Sequence, residues 1–194
     1  MAAGTQSLVR SIHLLRAVAT RGATGWRLLD LSAACGLDKG TAHRILSALV
    51  RERLVCRRDA DRRYFPGPLL HELGLALTGR QAFQLAVEGI LAGWARRLNG
   101  VALLLFRSGD EYVCAIRVGP VRLPGLMVDR GTRRLLFTSV GGVAILQTME
   151  ADEARAVLER NIAHELARRG DGRLAAFAAM RDRSARHGFG VNLG

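Results

Sequence analysis

Apolar residues recur at helical spacing through the first fifty positions and then give way to short extended runs. From about Ser7 to Arg21, Leu8, Ile12, Leu15 and Val18 share one helix face, and Ser7 can cap its start. Gly22 and Gly25 break that pattern. A short helix is predicted from Leu28 to Cys35, with Gly36 in the left-handed position that would end it. Its start lacks a good capping residue. A third helix follows Asp38, whose carboxylate can accept from first-turn N–H groups. There Ala42, Ile45, Leu46 and Leu49 form an apolar stripe, and Gly40, His43, Arg44, Ser47 and Arg51 form the opposite one. Leu54–Arg58 and Arg62–Phe65 read as two strands joined by the turn-forming Asp59-Ala60-Asp61. The expected core of this region is Ile12, Leu15, Ile45, Leu49 and Leu54.

A short helix, a glycine-containing turn and an amphipathic helix make a helix-turn-helix, whose second helix can enter the major groove of DNA. A hairpin directly after it is a wing. Lys39 and Thr41 in the first turn, with His43, Arg44 and Ser47, are the candidate contacts from the helix. Arg57, Arg58, Arg62 and Arg63 flank the hairpin tip, where they could meet phosphates or a minor groove. The same pattern also fits a three-helix bundle with a solvated face, a winged helix that binds protein, or a small enzyme.

The second half alternates helices and strands. Pro68 to Arg80 is expected to be a linker helix with Leu70, Leu73 and Leu77 on one side. A longer helix follows, from Gln81 to Leu98, with Phe83, Val87, Ile90, Leu91, Trp94 and Leu98 on an apolar face. Val101–Phe106 and Tyr112–Val118 are predicted strands about the turn Ser108-Gly109-Asp110. A loop with Pro120 and Pro124 leads to a strand near Leu126–Asp129. Then come a helix reaching Gln147 and two more, Ala151–Asn161 and Arg173–His187. Gly141-Gly142 would let backbone approach a ligand. Thr138 and Ser139 would offer hydroxyls near a helix N-terminus, a place suited to a carboxylate, or merely cap a glycine turn. Arg133 and Arg134 could pair with an acidic ligand or lie solvated.

Composition narrows the partners. The formal net charge is +12, with 13 Lys+Arg against 6 Asp+Glu in residues 1–80, which favours a polyanionic partner. Lys39 is the sole lysine, so part of this arginine bias can reflect genomic composition. Hydrophobic residues, at 49%, suffice for a real core, and no run is long enough to suggest a membrane span. The uncharged Met1–Gln6 is unlike a secretory leader, so a cytoplasmic location is expected. Cys35, Cys56 and Cys114 form no CxxC pair and are read as small core residues. His164-Glu165 lacks a second histidine four residues on, and Gly188-Phe189-Gly190 lacks the strand and helix of a dinucleotide site. No catalytic residue, metal site or cofactor is assigned.

Gly36-Leu37-Asp38-Lys39-Gly40-Thr41-Ala42-His43-Arg44-Ile45-Leu46, followed by Leu49-Val50, Leu54-Val55, Tyr64 and Pro68-Leu69-Leu70-His71-Glu72-Leu73-Gly74, resembles the IclR-type bacterial transcription regulators. Ser32, where that family usually has alanine, and the missing cap before the second helix are departures. The resemblance implies a mixed α/β protein. Its parts would be a winged helix-turn-helix at residues 5–67, a linker helix at 68–80 and an effector-binding and oligomerisation domain with an antiparallel sheet at 81–194. It also implies double-stranded operator DNA, a small-molecule effector near Thr138, Ser139, Gly141 and Gly142, and a homodimer or homotetramer. Gly188-Phe189-Gly190-Val191-Asn192 is similar to the family's entry into further strands, so the last domain is expected to be incomplete.

Overall fold

A computed structural model describes residues 3–119 and 128–192. The chain divides into two compact units, Met1–Ile90 and Leu91–Gly194.

The first unit opens with α1 (Ala3–Ala19), α2 (Leu28–Ala34) and α3 (Lys39–Arg51). Helices α2 and α3 end in the same way. Gly36 takes φ +62°, its N–H donates to the Ala33 carbonyl, and the Leu37 N–H reaches the Ser32 carbonyl. At the end of α3, Arg53 takes φ +59° without being glycine, and Arg53 and Leu54 donate back to Val50 and Leu49. Both are Schellman closures, which satisfy the last free carbonyls of a helix. Strands β1 (Val55–Arg57) and β2 (Tyr64–Pro66) pair antiparallel with Cys56 opposite Phe65. Trp26 adds a one-residue rung on the other edge of β2, exchanging both backbone hydrogen bonds with Tyr64. Nothing in the residue pattern foretells that rung, because one bridging residue has no periodicity.

The core of this unit is Leu14, Val18, Trp26, Leu31, Leu46, Leu49, Val55 and Tyr64. Leu15, Ile45 and Leu54 pack partly buried against it. Ile12 does not belong to the core: it is 43% exposed, and Leu14 takes the inward position instead. The apolar arc of α1 is wider than the face that α2 and α3 cover, so Leu8 and Ile12 fall on its outer edge.

The stretch expected as one linker helix comprises α4 (Pro68–Gly74), a turn at 75–77 and the start of α5 (Thr78–Arg97). Successive three-residue bonds, Ala76 to Leu73 and Leu77 to Gly74, tighten the turn. Along α5 only Ala95 is buried, while Phe83, Ile90 and Trp94, and Leu98 just past its end, are exposed. Periodicity identifies residues that share a face; it cannot say what covers that face.

The second unit holds a three-stranded antiparallel sheet, β3 (Ala102–Ser108), β4 (Glu111–Val118) and β5 (Arg133–Leu135), in that order. Gly109, at φ +67°, turns the first hairpin. On β4, Tyr112, Cys114 and Ile116 are buried in alternation. A 3-10 turn, Leu136–Thr138, leads into α6 (Val140–Gln147), α7 (Ala151–Arg169) and α8 (Leu174–His187). Their core includes Tyr112, Leu136, Phe137, Val143, Val157, Phe177 and Met180, with Phe137 and Phe177 in edge contact at 5.0 Å. The expected strand near Leu126–Asp129 falls partly outside the described residues, as do Pro120 and Pro124. Val128 and Asp129 are not in a strand. Among the cysteines, Cys114 is buried and burial pushes its thiol up, Cys35 is partly buried, and Cys56 is exposed, contrary to a core role. Alternation along so short a strand put Cys56 on the outer side of β1.

Candidate nucleic-acid interface and effector region

The recognition face begins at Asp38. Its carboxylate accepts the Thr41 N–H at 2.8 Å, which caps α3 and holds that carboxyl below its ordinary value. Ala42, Leu46 and Leu49 turn inward and are buried. Lys39, His43, Arg44 and Ser47 consequently turn outward and are exposed, with Thr41 half-buried at the margin. The Arg44 guanidinium donates to Thr41 Oγ1 at 3.2 Å, which extends it along the first turn. The end of α3 that a groove would receive thus carries two cations, two hydroxyls and an imidazole.

The wing arginines divide into two kinds. Arg63 is structural, since its guanidinium donates to the Thr24 carbonyl at 3.1 Å and to the Gly25 carbonyl, and it lies 3.4 Å from Asp61. Arg58 forms a two-point pair with Asp61 and lies over the Phe65 ring at 4.6 Å. These hydrogen bonds, Arg58 first, pull the Asp61 carboxyl down to about 2. Arg57 and Arg62 are exposed, Arg57 above the Tyr64 ring and Arg62 at φ +57° at the tip. Gly67 fixes the wing at its root. A Cβ there would collide with the Arg53 carbonyl oxygen, and the Gly67 N–H donates to the Leu54 carbonyl at 2.9 Å.

In the second unit, the four residues expected around an effector are all engaged within the chain. Ser139 caps α6 by accepting the Gly142 N–H at 3.3 Å, and its hydroxyl donates to the Tyr112 hydroxyl at 3.2 Å. Thr138 donates to the Leu135 carbonyl at 2.8 Å. A Cβ on Gly142 would meet the Leu136 carbonyl oxygen, and one on Gly141 would meet the Leu105 side chain. The glycines therefore admit this protein's own chain. Thr138 also lines a cavity bounded by β5 and α7. Sequence reasoning missed that cavity, and it missed the buried Asn161 beneath the 3-10 turn. The only available signal was the spacing of Asn161, Glu165 and Arg168 along one helix face.

Residues 7–59 match the family model described as the IclR helix-turn-helix domain. The glycerol operon regulatory protein of Streptomyces coelicolor is 43% identical over 74 residues, which cover 38% of this chain and 29% of that protein. An IclR family transcriptional regulator from Brucella abortus superposes with a TM-score of 0.65 at 20% identity, covering 93% of this chain and 66% of that one. An IclR homolog from Microbacterium hydrocarbonoxydans, solved as a complex with 4-hydroxybenzoate, gives 0.59 at 18% identity, covering 94% and 75%. The chain thus spans about two thirds of the length of the Brucella structure, and its match reaches under a third of the Streptomyces protein. Residues 7–59 are thus similar to the IclR helix-turn-helix domain, and the fold of the chain is similar to that of the Brucella regulator.

Proposed function

We propose that this chain is a sequence-specific DNA-binding transcription regulator. Its α3 would lie in the major groove of an operator, and its wing would rest on the phosphate backbone. The observation that carries this reading is the outward set Lys39, Thr41, His43, Arg44 and Ser47, which stands opposite the buried Ala42, Leu46 and Leu49 on one capped helix. Arg44 is the residue for a guanine, since its fork matches O6 and N7. Arg57 and Arg62, with Arg58 beside them, are the phosphate contacts. Arg63 serves them from behind by anchoring the hairpin to Thr24 and Gly25. This assignment favours a nucleic-acid partner over a protein partner or an enzymatic role, and a cytoplasmic location is proposed with it.

A small-molecule effector, of the carboxylate class, is proposed to control binding. The Microbacterium homolog of this fold was solved with such a compound. Thr138, Ser139, Gly141 and Gly142 would shape its surroundings through the α6 N-terminus. A second copy of the chain is proposed to cover the exposed Leu8, Val9 and Ile12 of α1, giving a dimer, or a tetramer built of two dimers, that reads a roughly palindromic site. The test is a gel shift of the whole chain against a random-duplex pool at rising salt, with selection of the bound fraction. Recovery of one motif that shifts when Arg44 is replaced supports the reading. Binding without sequence preference, or no binding, refutes it.

A further inference from the structure

A cavity of about 370 Å³ lies in the second unit between β5 and the C-terminal part of α7. Arg133 and Arg134 reach it from β5, Arg168 and Arg169 from the last turn of α7, and Arg173 from the start of α8. Such a gathering of like charge is unfavourable unless something answers it. The chain answers only part of it. Glu111 is held by Arg133 at 3.1 Å. The Oε1 of Glu165, a residue 4% exposed, lies 3.5 Å from the Arg173 guanidinium and accepts no hydrogen bond from it or from any other group. A buried carboxylate oxygen that accepts no hydrogen bond is costly even beside a cation, and Glu165 lies in the wall of a cavity ringed by arginines.

These two features call for one kind of occupant. The arginine forks call for oxygen anions of more than one charge, which guanidinium binds in pairs of parallel hydrogen bonds. The Glu165 oxygen, paired with Arg173 by charge but accepting no hydrogen bond, calls for a hydroxyl donor on the same molecule. We infer that the cavity binds a small multivalent anion bearing a hydroxyl group, either a phosphate ester or a hydroxylated polycarboxylate. Arg168, Arg169 and Arg173 hold the anionic end, and Glu165 accepts the hydroxyl. The site shares only Thr138 with the α6 N-terminus and does not depend on how α3 meets DNA.

Titration calorimetry on the whole chain at constant ionic strength tests this, with citrate, tricarballylate and inorganic pyrophosphate as probes. Citrate and tricarballylate differ by one hydroxyl. The expected result is saturable binding of one citrate or one pyrophosphate per chain, weakened at least tenfold in R168A/R169A. Both arginines are exposed, and an unchanged melting profile verifies that the variant is folded. Citrate should also bind more tightly than tricarballylate. A preference for pyrophosphate over citrate assigns the phosphate class, and the reverse assigns the polycarboxylate class. The wing pair R57A/R62A should leave both affinities unchanged. Three results overturn the proposal: no saturable binding of any probe, affinity indifferent to R168A/R169A, or affinity abolished in R57A/R62A instead. Equal affinity for citrate and tricarballylate overturns the role of Glu165.

Discussion

Asn161, fully buried within α7, donates through Nδ2 to the Asp110 carbonyl at 3.0 Å and accepts the Phe137 N–H at 3.3 Å. One amide thereby satisfies the β3–β4 turn and the 3-10 turn before α6. Its neighbour Arg160 grips the Asp110 carboxylate with two hydrogen bonds of 2.7 and 2.8 Å. Replacing Asn161 with alanine leaves the buried Phe137 N–H unpaired, at about 1–3 kcal/mol, while the Asp110 carbonyl keeps only the Leu136 N–H. Urea unfolding of Asn161→Ala should show that destabilisation, and a midpoint equal to wild type would disprove the role.

The α3 residues and the wing arginines predict different phenotypes. Arg44→Ala should cost about 1–3 kcal/mol of operator binding and relax preference at one base pair. R57A/R62A should weaken all duplexes alike and flatten the log–log salt slope by roughly 0.9 for each phosphate no longer neutralised. Filter binding across a salt series separates the two. Sequence-dependent weakening in the wing pair would contradict the assignment.

Asp61 restrains the wing by occupying Arg58. Asp61→Asn removes a negative charge from the tip and frees that guanidinium. Affinity for every duplex should rise, and the salt slope should steepen by up to about 0.9. An unaltered slope would mean that the Phe65 ring alone keeps Arg58 in place.

Acid should loosen the fold at defined carboxylates. Asp38, Asp61 and Asp110 are all held below the ordinary 3.8, by hydrogen bonds from Thr41, Arg58 and Arg160 respectively. With folded values depressed, their contribution is present above about 3.8 and disappears as pH falls, for Asp61 through about 2. Stability measured between pH 5 and 2 should therefore decline. Asp110→Asn should have a shallower decline than wild type, and an identical profile would exclude Asp110 as a contributor.

Much of this was legible beforehand, because α3 presents its two stripes at strict helical spacing and Asp38 and Gly36 are strong end signals. The length of α7 was not. Asn161 reads as a helix end, since asparagine competes with helix backbone, yet tertiary partners take up its amide and the helix runs on to Arg169. The strand β5 was missed for a similar reason. Arg133 and Arg134 look like surface residues, and only the pairing of Tyr112 with Arg134 makes them extended. The division among the wing arginines also depends on the fold, since Thr24 and Gly25 lie 39 and 38 residues from Arg63. The Arg168 cluster required the hand of α7 against β5, which spacing does not encode.

Gly67 has a further consequence. Because it presses on the Arg53 carbonyl, Gly67→Ala should destabilise the protein by about 1–3 kcal/mol, measurable by denaturation, and should lower DNA affinity as well. Full retention of both would show that the close approach yields.

That same approach fastens the root of the hairpin to the end of the recognition helix, while Trp26 and Arg63 tie its second strand to the segment before α2, leaving residues 58–62 to project beyond these joints. Substitution at the tip can then retune how hard the protein grips any duplex without disturbing which bases Arg44 meets. Changes within α3 can rewrite the preferred bases while the grip stays as it was. Strength and choice of target can drift independently in this architecture, and the residue that uncouples them has no side chain.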